Sequence, residues 1–360
     1  MSRVLILLGS QGHGSGAERV LEYLLEGAVS RRGDICLLSP PSSSVTTFAR
    51  NLGYDWIPWE TDHDGGAKNL LAFLKVLRTP KQIVPVGLVH SWHTRHLEWA
   101  WLLGRLWKIP CSGTIHDDPE PDHAHFGRAR RRIIRIAAER LDGLAVVSDA
   151  IATRSTGLGW KRAPVTIRNG LPDAPPVQRE TSHTLRLGFL ATTVLWKGVE
   201  LLPELVRRTA DLPVEWHLFG TPLPETVPLV EELTRAANVR FHGRAPLEEA
   251  LVHIDVLLHL SLALDPYPTV LLEAARAGIP VIASRIGGSP EIVDDSVTGL
   301  LIPPNDVGAT EQAIRRLFQE PEVRLTMGMA ARARFDREFR VERMVADYFS
   351  FWDGLRSPRA

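Results

Sequence analysis

The sequence predicts an α/β protein made of two doubly wound domains, and three observations carry that prediction. Short β-rich apolar runs alternate with segments of helical period along the chain, the pattern of βαβ units around a parallel sheet. The pattern breaks at a proline-rich stretch near the middle and then restarts. A length of 360 residues also suits two domains of roughly 100–200 residues each, large enough for separate cores.

In the first half, strands are predicted at residues 4–8, 34–39, 86–90, 112–116 and 144–148, with helices between them. In the second half they fall at 185–190, 214–219, 239–242, 256–260, 281–283 and 299–302. Proline continues neither sheet nor helix, so Leu171-Pro172-Asp173-Ala174-Pro175-Pro176 and the polar run after it mark a linker. The predicted division is 1–170, a linker over 171–184, a second domain over 185–340 and a C-terminal helix over 341–360 that packs back on the first domain. Pro40-Pro41-Ser42-Ser43-Ser44 is a biased tract with the composition of a loop.

Composition narrows the function classes. Apolar residues make up 44% and charged residues 23% of the chain, which excludes disordered, collagenous and coiled-coil classes. Lys plus Arg equals Asp plus Glu at 42 each, so no overall field favours nucleic acid. Cys36 and Cys111 are too few for a disulfide scaffold or a four-cysteine zinc site, which fits a reducing cytoplasm. No run approaches the ~18 apolar residues of a membrane span, and the apolar run 4–8 is too short for a signal peptide.

The most informative segment is Asp265-Pro266-Tyr267-Pro268-Thr269-Val270-Leu271-Leu272-Glu273. Proline near its start and Gly278 beyond its end bracket a helix. The free N–H groups near Thr269 and Val270, together with the helix dipole, form a seat for a phosphate. Glu273 lies about one turn in, where it can accept from ribose hydroxyls, while Asp265 reaches the sugar end of such a ligand. A loop-capping Asp and a solvated Glu are the plainer reading of the same two residues.

With its neighbours, this segment resembles the E-x7-E signature of family 4 glycosyltransferases of the GT-B fold, Asp265 standing for the first Glu. The similarity continues through Pro280-Val281-Ile282-Ala283-Ser284-Arg285-Ile286-Gly287-Gly288-Ser289-Pro290-Glu291 and Thr298-Gly299-Leu300-Leu301-Ile302-Pro303-Pro304. Gly287-Gly288 lets backbone approach a ligand, although a structural β-turn-α explains the pair equally well. Ser289 is expected as an N-cap with Pro290 at the first helical position. Upstream, Trp196-Lys197-Gly198 resembles the family loop that carries a lysine onto the donor diphosphate, where an exposed Lys is the plainer alternative. The family pattern places a Gly-Arg pair about five residues before that lysine. Here the pair is Ala191-Thr192, and Thr192 can bond a phosphate oxygen without supplying charge.

In the first half, Gly12-His13-Gly14-Ser15-Gly16-Ala17-Glu18-Arg19-Val20 follows a strand and opens a helix, as anion-binding loops do. It resembles the family's Gly-Gly-Ala-Glu-Arg-Val loop over the donor phosphates, which singles out Gly16. No acidic residue follows the second strand as dinucleotide binding requires, which argues against NAD. His116 matches a family histidine beside the transferred sugar, and a surface loop His is the alternative. His90, His93 and His96 lack the i, i+4 spacing of a helical metal pair. Arg128, Arg131, Arg132 and Arg135 line one face of a predicted helix whose Ile133, Ile134 and Ala137 are available to the core. That face is either solvated or a docking surface for a membrane or a lipid phosphate. Asn169-Gly170 resembles the interdomain turn of the family.

The resemblance implies a GT-B architecture, with two Rossmann-like domains facing across a cleft. The implied activity is a retaining transfer of a sugar from a UDP- or GDP-sugar to an acceptor hydroxyl, in surface-polysaccharide or glycolipid assembly. It implies His116, Lys197 and Asp265 as catalytic residues and Gly16, Thr192, Lys197, Thr269, Val270 and Glu273 as donor-binding residues. No metal ion and no cofactor beyond the donor are expected. The implied partners are the donor and a sugar or lipid-linked acceptor, in the cytoplasm with peripheral membrane contact. A non-catalytic nucleotide-sugar-binding protein and a nucleotide-sugar epimerase of the same fold stay open as alternatives.

Overall fold

A computed structural model describes residues 3–9, 16–60, 67–77, 85–119, 128–157, 163–177 and 183–356. The chain divides into two compact units, one of Met1–Pro172 with Arg340–Ala360 and the other of Asp173–Phe339.

The first unit holds a sheet of seven parallel strands, β1 (Arg3–Leu7), β2 (Ile35–Ser39), β3 (Asp55–Pro58), β4 (Val86–Ser91), β5 (Cys111–Ile115), β6 (Gly143–Val146) and β7 (Val165–Thr166), in the order β3-β2-β1-β4-β5-β6-β7. The order reverses between β1 and β4, the feature of a doubly wound sheet that places ligands beyond the carboxyl ends of its strands. Its helices are α1 (Gly16–Gly27), α2 (Ser44–Asn51), α3 (Ala67–Leu77), α4 (Leu97–Trp107), α5 (Arg128–Arg140) and α6 (Asp149–Gly157). Strands β1, β2, β5 and β6 are buried along nearly their whole length, as their unbroken apolar or small-residue runs require. Sequence patterning missed β3 and β7. Both are edge strands with half-exposed or exposed residues, so neither shows an apolar run, and β3 ends on Pro58 where an edge tolerates it.

The second unit repeats the plan with β8 (Leu185–Leu190), β9 (Val214–Phe219), β10 (Val239–Gly243), β11 (Val256–His259), β12 (Val281–Ser284) and β13 (Gly299–Ile302), all parallel, in the order β10-β9-β8-β11-β12-β13. Around them lie α7 (Leu202–Arg208), α8 (Val227–Leu233), α9 (Leu247–Val252), α10 (Thr269–Ala277), α11 (Ser289–Ile292), α12 (Val307–Gln319) and α13 (Pro321–Glu338). Local chemistry sets several boundaries. Asp306 caps α12 by accepting from the Ala309 N–H at 2.8 Å, and Gly278 ends α10 in the left-handed conformation at φ 68°. Ser289 opens α11 instead of capping it, Gly288 being the cap residue.

The last helix, α14 (Val341–Arg356), belongs to the first unit. It buries Met344, Tyr348 and Trp352. The Tyr348 hydroxyl lies 3.2 Å from Thr114 Oγ1, which lies 3.1 Å from His90 Nε2, and His90 Nδ1 lies 2.8 Å from Ser112 Oγ. Burial, helped by His116, pushes the His90 imidazole down to about 3, so it sits in the core as a neutral hydrogen-bonding group. Gly170 brings the chain close to this helix, because a Cβ there would meet the Arg340 carbonyl at 2.5 Å. At the start of the second unit, Arg332 holds Asp173 through a 2.7 Å ion pair and donates to the Ala174 carbonyl at 2.6 Å.

Candidate functional site

In the second unit, the loop after β8 carries Lys197 and the loop after β11 carries Asp265. Both lie at the carboxyl side of the β8–β11 pair, where the strand order reverses. Gly198 sits at φ 80°, and a Cβ there would lie 2.1 Å from the Leu260 carbonyl oxygen, so only glycine lets the first loop lie this close to the second. The Leu262 N–H donates to the Trp196 carbonyl at 2.8 Å, completing the junction.

Across that junction the Lys197 ammonium donates to Asp265 Oδ2. The ammonium also lies 4.2 Å from the centroid of the Trp196 ring. Asp265 is 7% exposed. Burial pushes its carboxyl up, but the Lys197 charge and His259 outweigh burial and hold it well below the usual carboxylate range. His259, at the end of β11, places Nε2 3.3 Å from the same Oδ2 and 3.2 Å from Ser261 Oγ. Burial lowers the His259 imidazole despite the opposing pull of Asp265, so the ring is neutral.

Four residues beyond Asp265, α10 begins at Thr269. No side chain caps it, so the first-turn N–H groups at Thr269 and Val270 keep the orientation of an anion seat. Thr269, Val270 and Glu273 are all partly exposed on this helix. Of the two readings open for Gly287 and Gly288, ligand approach and a structural turn, the packing around them displays the structural one. Gly287 sits at φ 59°, and a Cβ on it would meet the Asp265 carbonyl oxygen at 2.2 Å, while one on Gly288 would meet that of Pro266 at 2.3 Å. The Gly288 N–H donates to the Asp265 carbonyl at 2.8 Å. The glycine pair therefore fixes the acidic loop from behind. Thr192 is exposed, whereas its neighbour Thr193 is buried with its hydroxyl 3.1 Å from that of Thr226.

Within the first unit, His116 follows β5 and is buried, and burial pushes its imidazole down to about 3. Among the described residues its Nε2 has no hydrogen-bond partner. Gly16 opens α1, while Gly12, His13, Gly14 and Ser15 of the same loop lie outside the described residues. Trp92 links the two: its indole N–H donates to the Ala17 carbonyl at 2.8 Å and its ring packs 4.7 Å from that of His116. Sequence reasoning had no signal for Trp92, or for His259.

Helix α5 departs from expectation at one position. Ile134 and Ala137 are buried, but Ile133 is 48% exposed beside exposed Arg132 and Arg135, and Arg131 is partly buried. Each residue step turns about 100° around an α-helix, so Ile133 stands well round from both buried Ile134 and the stripe of Arg132 and Arg135, and it meets solvent there. The Arg128 side chain lies outside the described residues. Among the described residues no helix is long and apolar enough to cross a membrane.

Comparison with known proteins places this geometry. Residues 14–173 match the model of Glycosyltransferase Family 4, and residues 176–334 match that of Glycosyl transferases group 1. Two doubly wound units with these matches define the class: the chain belongs to the family 4 glycosyltransferases of the GT-B fold. It is similar to the D-inositol 3-phosphate glycosyltransferase of Corynebacterium diphtheriae, 29% identical over 281 residues, 68% of this chain and 65% of that protein. The chain thus spans just under two thirds of that relative's length. It is also similar to the GDP-mannose-dependent alpha-(1-6)-phosphatidylinositol monomannoside mannosyltransferase of Mycolicibacterium smegmatis, 33% identical over 185 residues, 48% of this chain and 46% of that one. Among solved structures, Anabaena HepE in complex with UDP superposes with a TM-score of 0.83 at 20% identity, over 98% of this chain and 100% of that one. The same protein in complex with UDP-glucose gives a TM-score of 0.81.

Proposed function

We propose that the chain moves a hexosyl group from a nucleoside-diphosphate sugar to an acceptor hydroxyl with retention of configuration. The observation that carries this reading is the meeting of Lys197 and Asp265 immediately before the start of α10. Lys197 and the N–H groups at Thr269 and Val270 are assigned to the diphosphate, with Thr192 as a neutral contact. Asp265 is assigned to sugar hydroxyls and Glu273 to the ribose, and the reading calls for no metal ion. In the transfer, the bond from the anomeric carbon to the departing phosphate breaks as a bond to the acceptor oxygen forms. The departing phosphate takes the acceptor proton, so its growing negative charge needs the cation and the helix start. His116 and Gly16 keep the roles the family resemblance gives them. HepE's complex with UDP-glucose supports a UDP-sugar and the mycobacterial relative's name a GDP-sugar, so both belong to the test.

A melting screen with UDP-glucose and GDP-mannose is expected to raise Tm with one of them, because saturation at about a hundred times Kd stabilises by ~2.7 kcal/mol. The donor that shifts Tm should then be consumed in the presence of acceptor sugars, with the anomeric configuration retained by proton NMR. Absence of any shift at millimolar donor defeats the donor reading, and binding without turnover leaves only a binding protein.

We also propose a glycolipid acceptor met at a membrane surface, supported by exposed Arg132, Ile133 and Arg135 on α5 and by the mannosyltransferase relative. The protein should cosediment with phosphatidylglycerol vesicles, and Arg132→Glu/Arg135→Glu should weaken this by about thirtyfold or more, at roughly 1 kcal/mol for each of the two basic residues lost near the surface. Equal sedimentation of both proteins removes the docking face.

A further inference from the structure

We infer that His259 is a positioning residue which commits one oxygen of Asp265 to the scaffold and leaves the other for the donor sugar. The inference rests on the donor reading above and adds a residue to it.

The Asp265 carboxylate is divided. Its Oδ2 accepts from Lys197 and faces His259 Nε2 at 3.3 Å. Its Oδ1 has no hydrogen-bond partner among the described residues. The backbone of the same residue is held from the opposite side, by the Gly288 N–H at 2.8 Å and by contact with Gly287. With the peptide and one carboxylate oxygen both anchored, the direction of Oδ1 is fixed before any ligand arrives. A fixed acceptor of this kind avoids the ordering cost that a mobile carboxylate meets on binding.

His259 is an unusual residue for its place. It ends a strand whose other members, Val256, Leu257 and Leu258, are apolar, and it is 4% exposed. A leucine there would bury without loss of hydration, whereas an imidazole must find polar partners. The partners it finds are Asp265 Oδ2 and Ser261 Oγ, both on the acidic loop. Asp265 is also one methylene shorter than the glutamate of the family signature, so its carboxylate stays close to the loop, within reach of a residue on the adjoining strand end. The ligand chemistry follows: Oδ1 accepts from a single sugar hydroxyl, and neither Oδ1 nor His259 is assigned to the nucleotide, whose diphosphate falls to Lys197 and the start of α10. His259 should therefore matter for a nucleotide sugar and be silent for the bare nucleotide.

The test measures Kd for two pairs, UDP with UDP-glucose and GDP with GDP-mannose, using wild type, His259→Leu and His259→Gln. In the pair that wild type binds, His259→Leu should weaken the sugar nucleotide about tenfold, the equivalent of roughly 1.4 kcal/mol, with the bare nucleotide unchanged. His259→Gln keeps an N–H donor for Oδ2 and should restore sugar-nucleotide affinity. Equal losses for both members of the pair, or no loss in His259→Leu, overturn the inference. Wild type that binds neither pair removes the donor reading, and this inference with it. Should His259→Leu not fold, nitrogen NMR of the wild-type imidazole decides: the Nε2-protonated tautomer is expected, and the Nδ1-protonated form overturns the assignment.

Discussion

Lys197→Ala is expected to lower donor turnover by about 10²–10³-fold, the usual cost of removing one positioned donor from a developing anion. The same change should also destabilise the fold, because it leaves the Asp265 carboxylate buried without its ammonium partner. Breaking a buried pair from one side costs about 3 kcal/mol. The two effects separate in the double variant Lys197→Ala/Asp265→Ala, which removes the orphaned charge: stability should recover and turnover should not. Acid titration gives a third readout. In wild type the Asp265 carboxyl is held below its ordinary value, so its contribution to stability is complete above that ordinary value and is lost as pH falls through the folded one. Without Lys197, burial is less opposed and the folded value rises, so the carboxyl contributes less at neutral pH and what it contributes is gone at a higher pH than in wild type. Undiminished turnover in a folded Lys197→Ala protein would show that the diphosphate is held elsewhere.

Gly287→Ala should be the most damaging change available behind the acidic loop. Its φ of 59° is left-handed, which alone costs a residue with a side chain roughly 1–2 kcal/mol. The new methyl would also lie 2.2 Å from the Asp265 carbonyl oxygen, a backbone atom with no rotamer to move. Relief requires the acidic loop to shift, which breaks the Gly288-to-Asp265 bond and displaces the carboxylate from Lys197. The expected result is a lower Tm together with loss of nucleotide-sugar binding. Gly243→Ala is the control, since Gly243 is also left-handed at φ 67° but has open space around its missing Cβ. A Gly287→Ala protein that binds the donor as wild type does would refute the bracing role.

The comparison of these two glycines shows where reading the sequence stops. A Gly-Gly pair after a strand announces an unusual backbone, yet what it makes room for lies more than twenty positions away in the chain, on the loop at Asp265. Lys197 and Asp265 were legible because each stands in a local motif, Trp-Lys-Gly and an acid-x7-acid helix start. Their mutual ion pair was not legible, because it depends on β8 lying next to β11. His259 left even less trace, since a lone histidine ending an apolar strand reads as core until its partner is seen. The same distinction governs the fold. Interior strands such as β1 and β2 declare themselves by unbroken burial, while the edge strands β3 and β7 are too exposed to leave an apolar signature.

The placement of α14 bears on the order of biosynthesis. Trp352 and Tyr348 fill the interior of the unit whose first strand begins at Arg3, and the whole of Asp173–Phe339 is translated between them. A ribosome therefore releases every residue of the later-starting body before it has released the plug that finishes the earlier one. The portion that begins first is the last to have all its parts.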